Sequence, residues 1–252
     1  MGQNKGGQIA YKHFYALFIK GDLVFGELIN IALFKTDLRS VENKATIGSG
    51  LFYYLATIIV IFVVSLIINF MLSITNGIKV GADFPSMLWV MIGTTILSLF
   101  VAFVSIIIGI IFSLAYFVFV NIVAKMFGGK GDYPKTTAML FITGSAIAIT
   151  YSLPLQIMVG LSQIILTYLG AAGTIIGAIT ILRAIISIII CVIATYLQSK
   201  AIGVVHNIST LKGFLSLIIP AIGIGIVLTI ILVLLTLFGI ALFAPMATMA
   251  LI

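Results

Sequence analysis

The chain has 252 residues, of which 62% are hydrophobic and only 8% are charged. A soluble domain is roughly 45–50% apolar, so the composition excludes a water-soluble protein and indicates an integral membrane protein. The net charge is +7, but long uncharged runs separate the basic residues, so no segment can form the basic, aromatic-bearing groove of a nucleic-acid-binding protein. We expect no nucleic acid as a partner and attribute the charge to basic loops beside the membrane.

The first 50 residues are predicted to form an N-terminal region, cytoplasmic or interfacial, ahead of a membrane domain of residues 51–252. Within this region, the stretch from Asp22 to Phe34 places its apolar residues on one side of a helical wheel and its polar residues on the other. The pattern predicts an amphipathic helix at about residues 22–34. This helix can lie on the inner leaflet or pack on the cytoplasmic ends of the spans, and both alternatives stay open.

Apolar segments follow that are long enough to cross a hydrocarbon core of about 30 Å at 1.5 Å per residue. Two of the runs are longer than one crossing needs, so length alone permits roughly five to seven spans. We predict an all-α polytopic bundle of five transmembrane helices, at about residues 51–74, 99–124, 137–160, 178–200 and 214–243. The surplus apolar length is expected in membrane-associated connections at residues 87–98 and 161–177.

The distribution of Lys and Arg selects five spans and sets the orientation. With the N-terminus inside, 11 of the 13 basic residues lie on the inner side. Splitting the run of residues 87–124 into two crossings would move Lys125, Lys130 and Lys135 to the outside. The sequence therefore predicts that the N-terminus faces the cytoplasm and that the C-terminus faces outward.

The stretch "FGGKGDYPKTTAML" between the second and third spans has glycines around a lysine, as a phosphate-binding loop has. It lacks the Walker spacing, because Lys130 is followed by Gly131 and a membrane helix precedes the loop. The glycines and Pro134 instead predict a tight turn, in which Gly128 and Gly129 have positive φ. Thr136 or Thr137 is expected to cap the third span.

Two stretches carry a resemblance to a known family. The first, "FGGKGDYPKTTAMLFITGSAIAITYSLP", has a span that ends in Gly-Gly-Lys-Gly, then a short polar link, a Ser145-Ala146 pair and a later Pro154. The second, "GVVHNISTLKGF", contains Gly203, His206, Ser209 and Lys212. Together they resemble the signature of the Yip-type family of small five-span membrane proteins.

The resemblance implies a non-enzymatic membrane scaffold or adaptor, with no catalytic residues to transfer. Eukaryotic members of the family help to organise membrane traffic and bind prenylated small GTPases at their cytoplasmic side. This chain is similar to a prokaryotic member, which implies that it lies in a prokaryotic cell membrane. Membrane lipids, a protein partner at the cytoplasmic face and homo- or hetero-oligomers are the expected interactions. The expected contact residues are Lys125, Lys130, Lys135, Lys200, His206 and Lys212.

Arg183 is the charged residue within an apolar run, and such residues are functional candidates. Three roles remain open: snorkelling to the outer headgroups, a structural contact such as a backbone carbonyl, or a ligand or ion pathway. Every acidic residue lies outside the predicted spans, which disfavours coupling to protons or sodium. The alternative to the adaptor is a small channel or transporter with a water-filled cavity lined by Arg183, Gln156, Gln163 and Tyr151.

The remaining candidate residues predict structural roles. His206 lacks neighbouring carboxylates or thiols and is expected to be an interfacial or capping residue, and Cys191 is expected to be a small buried apolar side chain. We expect no metal site and no cofactor. Gly173 and Gly177 form a small-xxx-small pair, and Ala221, Gly223 and Gly225 offer another flat surface. For both surfaces, close packing within the chain and a dimer interface are open.

Overall fold

The computed structural model describes residues 25–81, 83–170 and 173–249. Residues 1–24 lie outside the described residues, and with them Lys5, Lys12, Lys20 and the first three positions of the predicted amphipathic helix. The same holds for residues 82, 171–172 and 250–252. Throughout the described part the secondary structure is helical and contains no strand.

Two short helices precede five long helical segments. The short helices are α1 (Phe25–Ala32) and α2 (Leu38–Lys44). The long segments are α3 (Ile47–Val80), α4 (Phe84–Met126), α5 (Tyr133–Ile147) continued through a π-helical turn (Ala148–Ser152) into α6 (Leu153–Tyr168), α7 (Gly173–His206) and α8 (Thr210–Met249).

The five long segments are apolar and long enough to cross a membrane, which confirms the all-α fold class and the number of spans. The candidate spans within the described residues are 33, 42, 36, 33 and 25 residues long, and each exceeds the roughly 20 residues that one crossing needs. Their ranges are Ile47–Lys79, Pro85–Met126, Tyr133–Tyr168, Thr174–His206 and Thr210–Leu234.

The helices are longer than all five predicted spans. The supposed connection at residues 87–98 is part of the continuous helix α4, and residues 161–168 continue α6. The fourth helix starts at Gly173 instead of about 178, and α8 extends beyond the predicted 214–243 at both ends. The physical reason is that a non-helical connection in hydrocarbon would leave backbone N–H and C=O groups unpaired, so a surplus apolar run continues as helix.

The up-and-down order gives the bundle two ends. We call the end where α3, α5 and α8 begin and α4 and α7 finish the basic end, because most of the Lys and Arg residues of the described part lie there. The opposite end is the distal end. The third span (α5, the π-helical turn and α6) lies at the centre, because half of its most apolar window is buried, against 11% or less in the other four.

Helix α1 packs against the bundle at the basic end. Leu28, Ile31 and Ala32 are completely buried and share a core with Ala138, Met139 and Ile142 of α5. The Tyr151 hydroxyl donates a hydrogen bond to the Ala32 carbonyl oxygen at 3.1 Å. Of the two alternatives for the amphipathic helix, the structure therefore has the packed one, although its helix begins at Phe25 in the described residues.

A second apolar cluster at the same end joins α4, α5, α7 and α8. Phe141 of α5 is 1% exposed, and its ring centroid lies 4.7 Å from that of Tyr54 and 5.1 Å from that of Phe117. Two tyrosine hydroxyls fasten α4 to its neighbours: Tyr116 donates to the Leu217 carbonyl at 2.7 Å, and Tyr133 donates to the Leu114 carbonyl at 3.1 Å. The basic end is therefore a close-packed unit.

The π-helical turn lies directly before Pro154, in the middle of the third span. Proline has no N–H and its ring clashes with the preceding turn, so the regular helical ladder cannot continue through this position. The wider turn absorbs that mismatch without ending the helix. Pro154 thus lies in the first turn of α6 inside a continuous span, where the chain enters the distal half.

Candidate functional site

The loop between α4 and α5 folds back onto the end of α7, and its backbone N–H groups donate hydrogen bonds to protein acceptors there. Gly128 has a φ of 86°, as predicted for a turn. The N–H groups of residues 128 to 131 donate in order to Lys125 O, Ala124 O, His206 O and His206 Nδ1, at 2.9, 3.0, 3.1 and 3.2 Å. These amides are occupied by protein acceptors, so they do not form the open cradle that a phosphate group requires.

The other loop predictions need correction. Among the described glycines with positive φ, Gly128 is present and Gly129 is not. Gly129 is required for close approach instead, since a Cβ there would lie 2.7 Å from His206 Nδ1, and a Cβ at Gly131 would lie 2.6 Å from the Val205 oxygen. Neither predicted threonine caps the helix: α5 begins at Tyr133 with Asp132 as N-cap and Pro134 in its first turn.

His206 is a buried connector, and the prediction of an interfacial or capping residue is wrong. Its side chain is completely buried. Nδ1 accepts the Gly131 N–H, so the ring proton lies on Nε2, which donates to Thr136 Oγ1 at 2.9 Å. The Thr136 hydroxyl then donates to the Asp132 carbonyl oxygen at 2.9 Å, with the Asn121 amide oxygen farther away at 3.4 Å. We call His206, Thr136, Gly131 and Asp132 the polar knot.

The predicted contact lysines surround the polar knot at the basic end. Lys125, Lys130 and Lys212 are exposed, whereas Lys200 is partly buried. Lys135 forms an ion pair with Glu42 at 3.6 Å, and Lys212 Nζ donates to the Phe127 carbonyl oxygen at 3.3 Å. The side chains of Lys125 and Lys130 form no hydrogen bond or ion pair with the described residues, so their charges are available to ligands.

A second group of polar residues lies in the distal half, around Arg183. One cavity of about 300 Å³ is lined by Arg183, Gln156, Ser152 and Ser187, with Leu155, Ile190 and Cys191. A second, of about 190 Å³, is lined by Arg183, Gln156 and Gln163 together with α3, which contributes Ser65, Ile68, Asn69 and Leu72. The Gln156 side-chain NH₂ group donates a hydrogen bond to the Ser65 hydroxyl.

A third cavity continues this polar region between α3 and α4. Its volume is about 260 Å³, and it shares Asn69 and Leu72 with the second cavity. Ser73, Asn76, Thr94, Thr95 and Ser98 complete its polar lining. We call the three cavities together the Arg183 region.

Sequence reasoning identified part of the Arg183 region. Arg183, Gln156 and Gln163 line a common cavity, as the channel alternative required, but Tyr151 bonds to α1 instead. Ser65 and Asn69 were missed, although Ser65, Asn69, Ser73 and Asn76 recur at spacings of four, four and three and so mark one helical face. Cys191 is exposed, and its predicted burial is wrong.

The small-residue surfaces do not pack within the described part of the chain. A Cβ added at Gly177, Gly223 or Gly225 would meet no atom within 4 Å. Close packing inside one chain is therefore wrong for these three glycines. Gly173 begins α7, where it follows the connection between the third and fourth spans.

Comparison with known proteins gives no assignment. No protein-family model matches the chain, and neither a curated protein nor a solved structure matches it. The arguments about function therefore rest on the geometry of the basic end and the Arg183 region.

Proposed function

We propose that the chain is a non-enzymatic integral membrane scaffold or adaptor of the Yip type, which acts in the cell membrane of a prokaryote. The basic end is its working surface and faces the cytoplasm, with the C-terminus outside. The observation that supports the proposal is that a close-packed end displays free cations: Lys125 in the last turn of α4, and Lys130 in the following loop, which the polar knot holds in place.

The charge balance of the basic end fits acidic ligands. In the described residues this end has eight basic side chains and four acidic ones, the basic set being Lys35, Arg39, Lys44, Lys125, Lys130, Lys135, Lys200 and Lys212. Each cation near an anionic lipid surface contributes about 1 kcal/mol of attraction at moderate salt. The proposed ligands are anionic headgroups and an acidic surface of a protein partner, in a homo- or hetero-oligomer.

The adaptor proposal is tested by removing the two free charges. Changing Lys125 and Lys130 together to Gln should weaken binding by roughly thirtyfold at moderate salt, since about 2 kcal/mol is lost. Proteins that co-purify in mild detergent, and phosphatidylglycerol molecules retained in native mass spectrometry, are the measurements. Lys79→Gln at the distal end is the matched control and should change neither. Equal retention by the wild type and the double variant would refute the adaptor proposal.

The orientation is tested separately by labelling single cysteines with an impermeant reagent. Cys191→Ser supplies the background, and Lys130→Cys and Lys79→Cys place thiols at exposed positions of the two ends. We expect Lys130→Cys to react only from the cytoplasmic side and Lys79→Cys only from the outside. The reverse pattern would overturn the orientation and leave the five-span fold intact.

A small channel or transporter is a second candidate, which the polar cavities of the Arg183 region favour. Purified protein in sealed vesicles should then conduct or exchange a small polar solute, and Arg183→Gln should alter the rate. If vesicles that contain the wild-type protein show no flux, the channel or transporter candidate is refuted. That result would have no bearing on the adaptor proposal, because the cations of the basic end lie at the other end of the bundle.

A further inference from the structure

Arg183 is an exposed cation within the fourth candidate span, and no acidic residue lies in that span. No hydrogen bond or ion pair joins its side chain to another described residue, and the six acidic residues of the sequence all lie outside the five candidate spans. A charged arginine in a hydrocarbon core is unfavourable unless it is paired or its side chain reaches water or the headgroups. The position therefore favours a negatively charged group from outside the chain.

The side chains around Arg183 add hydrogen-bond donors and no carboxylate. Gln156 lines both cavities that Arg183 lines, and Gln163 and Asn69 line the second one. Amide NH₂ groups and serine hydroxyls donate to oxyanions, and the guanidinium adds a planar pair of donors. No Asp or Glu is among the residues that line these cavities, so a cation would meet Arg183 without any compensating charge.

The depth of Arg183 places the region within reach of two sources of anion. Helix α7 has 34 residues, about 51 Å at 1.5 Å per residue, and Arg183 lies about 10 Å from its middle. In a bilayer centred on α7, with a hydrocarbon core of about 30 Å, Arg183 lies about 5 Å inside the distal boundary. A lipid phosphate can be drawn to this depth, and a small dissolved oxyanion can enter from the distal side.

We propose that Arg183, with Gln156, Gln163 and Asn69, forms a binding site for a phosphate-type oxyanion, carried by a lipid headgroup or free in solution. The two cavities that Arg183 lines, of about 300 and 190 Å³, are many times larger than the roughly 10–15 Å³ that one water molecule needs. The site goes beyond the adaptor function and requires no transport. If the chain is a channel or transporter, the site indicates that the transported solute is a phosphate-type oxyanion.

The proposal is tested on the full chain in neutral detergent, with two ligand arms. One arm adds short-chain phosphatidylglycerol, with phosphatidylcholine of the same chain length as control. The other adds inorganic phosphate, with sodium chloride at equal ionic strength. Bound ligand should raise the unfolding midpoint with the logarithm of its concentration. A rise with phosphatidylglycerol alone identifies a headgroup, and a rise with phosphate identifies a dissolved anion.

Variants assign that rise to the site. Arg183→Gln should weaken binding about tenfold or more, because a hydrogen bond to a charged group contributes about 1.5–3 kcal/mol. Arg183→Lys should weaken binding less, since it keeps the charge and loses the planar fork. Gln156→Glu keeps the side-chain shape but places a carboxylate beside Arg183, and it should abolish binding. Lys79→Gln removes a cation that lines neither cavity and lies outside the basic end, so it is the control and should bind as the wild type does.

Each outcome decides one question. No rise in either arm, or an equal rise for the wild type and Arg183→Gln, would overturn the oxyanion site. Binding that depends on Arg183, without flux in sealed vesicles, keeps the site and removes the transport candidate. Loss of partners in the Lys125 and Lys130 double variant tests the adaptor alone, so failure of one proposal does not count against the other.

Discussion

The two ends of the bundle differ in how their helices meet, although large apolar side chains are present at both. At the basic end, Phe141, Ala138 and Ile142 are buried or nearly so, and α1 and α2 cover the outside. In the distal half, large side chains such as Phe100 and Ile188 are about two-thirds exposed, and polar cavities separate the helices. Hydrophobicity alone therefore does not decide where these helices pack.

The difference follows from the absence of a hydrophobic driving force between helices in lipid. Helices associate there through close backbone approach and through hydrogen bonds, and the basic end has both. A Cβ at Gly50 would lie 2.8 Å from the Ala138 oxygen, and one at Gly213 would overlap the Ser199 oxygen. The polar knot and the tyrosine hydroxyls supply the hydrogen bonds. The distal half is held more loosely, which leaves room for a ligand.

The largest loss of stability should come from removing the Phe141 ring from the aromatic cluster of the basic end. Phe141→Ala leaves a cavity between Tyr54 and Phe117, and we expect the free energy of unfolding to fall by about 3–5 kcal/mol. Phe100→Ala is the matched control, because Phe100 is 66% exposed and should change stability by less than about 0.5 kcal/mol. Unfolding by denaturing detergent measures both. Equal losses would break the distinction between the two ends.

A smaller loss is expected when the polar knot is opened. His206→Ala leaves the Gly131 N–H and the Thr136 hydroxyl without their partner, and a buried unpaired group costs about 1–3 kcal/mol. We expect a total loss of about 2–4 kcal/mol.

A double-mutant cycle isolates the bond between His206 and Thr136. Thr136→Val keeps the shape of the side chain and removes the hydroxyl. The two substitutions should couple by about 0.5–3 kcal/mol, as residues in one hydrogen-bond network do. Strict additivity would contradict the network.

The sequence predicts the features of this molecule that depend on one segment at a time. Long apolar runs, together with the distribution of Lys and Arg between them, predicted five spans, and the glycine at 128 predicted a positive φ. The burial of His206 could not be predicted, because it depends on a contact with Gly131, 75 residues away. Gly129 was misinterpreted for the same reason, since its neighbour is the His206 ring.

The Arg183 region shows where such reasoning could have gone further. Arg183, Gln156 and Gln163 were recognisable as polar residues in apolar runs, and the structure places them in one cavity. The stripe that starts with Ser65 and Asn69 on α3 was visible in the sequence as a helical face. Only the packing of α3 against α6 shows that this face and Gln156 meet, and that packing is a property of the folded bundle.

The close approach of α3 and α5 predicts a third difference between the ends. Gly50→Ala places a methyl group 2.8 Å from the Ala138 oxygen, so α3 must move away, and we expect a loss of about 1–3 kcal/mol. Gly177→Ala meets no atom within 4 Å and should stabilise its helix by up to about 1 kcal/mol. The unfolding free energies of the two variants should therefore change in opposite directions. A loss at Gly177 in purified protein would instead indicate an interface with a second chain.

The smallest effect concerns Asp83, the N-cap of α4 at the distal end. The Asp83 carboxylate accepts the Ser86 N–H at 3.2 Å, and hydrogen bonds from the Ser86 side chain and backbone hold the pKa of Asp83 below its usual value of 3.8. A carboxyl whose pKa is lowered by folding adds stability at pH values above 3.8, and this stability is lost as the pH falls through the lower native value.

The melting temperature of the wild type should exceed that of Asp83→Ala at neutral pH, and this difference in melting temperature should narrow in acid. Asp83→Asn keeps a capping oxygen without a charge, so its gap from Asp83→Ala should stay constant over the same pH range. A gap between wild type and Asp83→Ala that widens in acid would show that the charge, and not the cap, destabilises this end of α4.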